Sequence, residues 1–90
     1  MNRDARFYFA NLGADIARCI SAERAHDVAR YQRSSERARA TIVHLRSTGQ
    51  QGAYEESLLL LRALAYARER GRLDVFESQL NKIIAVFAPV

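Results

Sequence analysis

The chain predicts an all-α fold: a long N-terminal helix, bent or broken near residues 21–35, then a helical hairpin, closed into a bundle with a second copy. Three observations carry this. From Ala14 to Thr48 there is neither Gly nor Pro, and Ala, Arg and Glu fill the stretch, all strong helix formers. Apolar residues recur every three to four positions, and no stretch alternates as a strand would. The length is also awkward. A helix of roughly 30 residues is ~45 Å long, while a compact domain of this size is only about 30 Å across. Such a helix must outrun its own globule, break, or lean on a partner chain.

The first helix is expected over about 4–46, starting near Asp4. Phe9, Leu12, Ile16 and Ile20 form its first apolar stripe, and Val28, Tyr31, Ala38, Ile42 and Leu45 its second. Between them the stripe turns polar at Glu23, Arg24 and Asp27. This belt reads as a buried polar layer in one continuous helix, or as a break between Ser21 and Ser35. Gly13 interrupts the first stripe, against helix propensity. Residues 47–52, Ser-Thr-Gly-Gln-Gln-Gly, form the clearest loop.

A middle helix follows over about 53–70, with Glu55 and Glu56 in its first turn and Arg68 and Arg70 in its last, as the helix dipole favours. Its centre, Leu58 to Ala67, is apolar on nearly every side. A helix apolar all round is normally buried all round, which three helices of one chain cannot easily achieve. This is the second reason to expect a homodimer, built through the long and middle helices. Gly71 suits the end of the middle helix. Asp74 with Glu77 reads as a capping pair for a last helix over about 74–88, which Pro89 closes. The expected core and dimer residues of the hairpin are Leu58, Leu61, Leu64, Ala65, Phe76, Leu80, Ile83 and Phe87, with Tyr54 and Tyr66 beside them.

Residues 60–89 resemble one tetratricopeptide-type helix pair through Gly71-Arg72-Leu73-Asp74 and Pro89. Phe76 and Ile83 stand where that family has small residues. Such repeats need stacked neighbours, and these 90 residues hold no second copy, so the segment reads as a generic helical hairpin.

Composition narrows the class. Hydrophobic residues make up 49% and charged residues 27%, a globular balance rather than a disordered one. The net charge of +4 lies entirely in residues 1–46, where nine Arg face five acids, while residues 47–90 hold five of each sign. The most apolar run is too short to span a bilayer, and no apolar leader follows Met1. A soluble, cytoplasmic protein without membrane contact is expected. Cys19 is the single cysteine, which excludes an internal disulfide.

Two constellations bear on chemistry. His26, Arg30, Arg33, Arg37 and His44 are spaced to share one helix face, a ridge suited to an acidic partner surface or to nucleic-acid phosphates. Glu23 and His26 form a Glu-x-x-His, the spacing of di-metal carboxylate bundles. One copy per chain is too few, so a metal site would need a dimer. Nothing orients a catalytic set, and there is no phosphate loop and no zinc spacing. No catalytic residue and no cofactor are expected. The leading expectation is a small protein–protein interaction module acting as a homodimer, such as a regulator, anti-activator, adaptor or chaperone. A nucleic-acid-binding regulator and a metal-binding bundle are the alternatives.

Overall fold

The computed structural model describes residues 4–87, with side chains through Ala85. The described residues form a bundle of four helices: α1 (Ala5–Arg24), α2 (Val28–Ser47), α3 (Gln51–Arg70) and α4 (Leu73–Phe87). The connections are short, so neighbouring helices run up and down in turn. Around the bundle the order is α1, α2, α3, α4, and α1 also touches α3 across the middle. The molecule measures 37 × 24 × 21 Å, and a 20-residue helix of ~30 Å fits within it.

The single long helix over 4–46 is therefore corrected to two. The break falls at residues 25–27, inside the polar belt, and it needs no glycine. Ala25 ends α1, and His26 takes the left-handed conformation at φ 55°. The His26 N–H donates to the Glu23 carbonyl at 3.0 Å and the Asp27 N–H to the Ala22 carbonyl at 2.9 Å, the paired bonds of a Schellman stop. Asp27 then caps α2 by accepting from the Arg30 N–H at 3.0 Å. Asp4 caps α1 in the same way, accepting from the Phe7 N–H at 3.0 Å. That bond holds its carboxyl below the usual carboxylate value. Gly71, at φ 65°, ends α3 as its sequence position suggested. The loop expected over 47–52 is shorter, because α3 already begins at Gln51.

The helix that buries the most side chains is α1. Phe9, Leu12, Ile16, Cys19, Ile20 and Ala22 are fully buried, and each large apolar side chain contributes roughly 1.5–3 kcal/mol by leaving water. Gly13 belongs to this packing. A β-carbon there would lie 2.7 Å from Ile84 Cδ1 and 3.0 Å from Ile84 Cγ1, so its absence lets α4 settle against α1. Asp15, also buried, accepts from Arg18 Nη1 at 3.1 Å and from Thr41 Oγ1 at 3.2 Å. The second of these bonds ties α1 to α2.

Candidate interaction surface

The middle helix, α3, departs most from expectation. Its buried side is Ala53, Ser57, Leu60, Leu64 and Ala67, one stripe rather than a full circumference. Of the hairpin residues expected in the core, Leu64, Phe76 and Leu80 are buried, while Leu61 and Ile83 are half-buried. Leu58 and Ala65 are exposed and so lie outside the core of the single chain. At 100° per residue both lie on the side of the helix away from Leu60 and Leu64. The Phe87 side chain lies outside the described residues. Tyr54 is half-buried, and Tyr66 is 58% exposed rather than in the core.

Beside Tyr66 the α3 and α4 surfaces diverge into a groove of about 460 Å³. Leu59, Ala63 and Tyr66 form its α3 wall, Val75, Phe76 and Gln79 its α4 wall, and Arg62 and Arg72 contribute cationic side chains. Leu59 is 55% and Val75 48% exposed. A narrower continuation of about 120 Å³ runs toward Glu56 and Ile83. The guanidinium of Arg70 sits 4.9 Å from the centre of the Tyr66 ring. Apolar side chains gathered this way in water mark contact surfaces more often than chance exposure.

The basic ridge loses His26 but keeps its other four members on α2, where Arg30, Arg33, Arg37 and His44 fall within about 60° of one another. His26 is in the α1–α2 turn and not on a helix. The Arg30 guanidinium donates to Ser21 Oγ at 2.8 Å, which ties it to α1. His44 stacks on Tyr8 with ring centres 5.1 Å apart and planes within 9°. Arg33 and Arg37 stay exposed, and neither forms an ion pair among the described residues.

The Glu-x-x-His pair fails for the same geometric reason. Its premise was a shared helix face, but α1 ends at Arg24, before His26. Glu23 Oε2 instead accepts from Arg68 Nε at 2.7 Å, and the Arg68 guanidinium lies 4.0 Å over the Tyr31 ring. Arg24 reaches Asp74 at 2.6 Å and Glu77 at 3.1 Å, so the expected capping pair of the last helix serves as an ion-pair partner. The polar belt is thus a ring of tertiary ion pairs at one end of the bundle, joining α1 to α3 and α4. Among the described residues no three His, Cys, Asp or Glu side chains gather as metal ligands.

Between α2 and α3 lies a polar cleft of about 430 Å³ lined by Tyr31, Gln32, Ser35, Arg39 and Arg68. Its strongest cation, Arg68, is already committed to Glu23. Beneath the surface, Cys19 is fully buried, and burial, with the Asp15 charge adding to it, pushes its thiol up to about 11. That keeps it protonated and unreactive at neutral pH.

Among the described residues, no helix is long and apolar enough to cross a membrane. No family model matches the chain, and no curated protein or solved structure matches it either. The described residues form an all-α helical bundle with a bare apolar groove between α3 and α4.

Proposed function

We propose that this chain is a small cytoplasmic protein–protein interaction module, a regulator or adaptor that works by binding rather than by catalysis. The observation that carries the reading is the α3–α4 groove, where Leu59, Tyr66 and Val75 stand in water above Phe76. Its two walls are helices, so it has the form that receives an amphipathic helix with apolar side chains every three or four residues. The nucleic-acid reading is weaker. Three arginines of its ridge remain on α2, Arg30, Arg33 and Arg37, enough for about three phosphates, where specific and salt-sensitive binders use roughly six to ten.

The test is a photocrosslinking residue at Val75, with Asn11 on the exposed side of α1 as the control. In the cell that makes the protein, Val75 is expected to give a discrete adduct and Asn11 none. Equal background from both positions would overturn the reading.

A further inference from the structure

The groove wall on α3 carries a pattern that reads the same in both directions. Glu55, Leu59, Arg62, Ala63, Tyr66 and Arg70 are spaced four, three, one, three and four residues apart. All six are exposed. At 100° per residue they fall within about 60° of the Leu59 direction, so they share one face. Apart from the central Arg62 and Ala63, the two halves match in kind: a large apolar side chain, then a charged one. The charges have opposite sign, with an acid at the N-terminal end and a base at the C-terminal end. A surface of this kind is complementary to itself when a second copy is laid against it antiparallel, as a two-fold interface requires.

We propose that the occupant of the groove is a second copy of this chain, joined through antiparallel α3 helices about a two-fold axis between Arg62 and Ala63. This rests on the interaction-module reading and names its partner. In the register the spacing sets, Leu59 faces the partner's Tyr66 and Glu55 faces the partner's Arg70. Both contacts occur twice by symmetry. Ala63, beside the axis, is small enough to let the two helices approach to the ~8–10 Å of packed helices. Val75 and Phe76 on α4 then border the incoming helix.

The charge distribution favours this occupant. Residues 47–90, which include α3 and α4, are balanced in charge, and the whole excess of +4 lies in residues 1–46. Two copies meeting on α3 therefore do not bring their basic halves face to face. An unrelated acidic helix would also suit Arg62 and Arg72, but it would leave the Glu55 end of the wall opposed by like charge. Arg62 is the exception within the dimer, because symmetry sets it beside its own copy. It lies at the edge of the face, in water, where screening reduces the repulsion.

Sedimentation velocity on the full chain across a concentration series tests this, with circular dichroism on each variant to show that the helices persist. The wild type is expected to be a dimer at micromolar concentration. Ala63→Arg sets a further cation opposite the partner's Arg62 at the axis, twice by symmetry, and should give a folded monomer. Glu55→Arg and Arg70→Glu should each weaken the dimer by about tenfold or more, and the double variant should regain most of that loss. Arg62→Ala should leave the dimer at least as tight as wild type, whereas an acidic partner helix would lose affinity on the same change.

A wild type that stays monomeric would overturn the proposal, as would a dimer indifferent to Ala63→Arg or a double variant no tighter than the singles. The module reading fails separately. If the dimer is absent but Val75 still crosslinks to a protein of another mass, the groove has a different occupant and only the self-pairing is wrong.

Discussion

His26 is the residue on which the architecture turns. It is not a glycine, yet it holds φ 55°, a conformation that costs most L-residues roughly 1–2 kcal/mol. The bonds on either side, His26 to Glu23 and Asp27 to Ala22, satisfy carbonyls that the end of α1 would leave open, and the fixed neighbours hold the strain. His26→Gly removes the steric penalty at the position where helices most favour glycine. It is expected to stabilise the fold by about 1 kcal/mol, read as a higher urea midpoint with an unchanged slope. A lower midpoint would mean that the imidazole contributes more than its backbone costs.

Cys19 gives a second prediction at this scale. Its thiol ordinarily titrates near 9.0 and is held up to about 11 in the fold. Because the folded value is the higher one, the linked stability is complete below pH 9 and is lost as pH rises toward 11. Tyr31, also raised by burial, adds to the same alkaline loss. Urea unfolding measured at pH 8 and pH 11 should show the decline, and Cys19→Ala should show a smaller one. An identical decline in the variant would assign the whole effect to other groups.

Among the elements, α1 and α3 differ in how their apolar residues are arranged. Their compositions are close, with twelve of twenty residues apolar in α1 and eleven of twenty in α3, and each touches the other three helices, yet α1 buries more of its side chains. The reason is residue size and spacing. Phe9, Leu12, Ile16 and Ile20 fall on one face, and Gly13 beside them opens a place for Ile84 of α4. The leucines of α3 run consecutively, so they point in successive directions and only Leu60 and Leu64 reach the core.

Gly13→Val tests the α1–α4 contact. Its branches would occupy the space of the Ile84 side chain, and overpacking of this kind costs about 1–3 kcal/mol, more than a β-branched residue gains over Gly in helix propensity. The urea midpoint should fall. A variant as stable as wild type would mean that α4 can shift at no cost.

At the scale of the whole molecule, the expectation of a partner chain began with a helix too long for its globule. That reason is gone, because the turn at 25–27 folds α1 and α2 side by side and covers the apolar face of α1 within the chain. What replaces it is more local. The other three helices, of 15 to 20 residues, cover the apolar face of α1, but the Leu59–Tyr66 face of α3 is left in water. The ion pairs Glu23–Arg68 and Arg24–Asp74 close one end of the bundle. They are exposed to solvent, where such pairs add little net stability, so they set the register of α3 and α4 on α1 more than they stabilise it. The candidate surface follows from this docking, since the angle of α3 decides which of its leucines are left over.

The sequence by itself determined the helical class, the cap at Asp4, the stop at Gly71 and the stripe Phe9–Leu12–Ile16–Ile20. Each of these rests on local chemistry: hydrogen-bond caps, glycine's freedom at positive φ, and a repeat that matches the helix turn. The polar belt at Glu23–Arg24–Asp27 was visible too, and a break there stood as the alternative to a continuous helix. Choosing between them needed the Schellman bonds, because a histidine in the left-handed region gives no compositional sign. That one turn removes His26 from the ridge and separates it from the face of Glu23.

Only the tertiary structure decided which helix buries the most side chains and which face of α3 is bare. Periodicity assigns each helix an apolar side, but a helix apolar in every direction has no preferred one. Its orientation is set by the neighbours that reach it first.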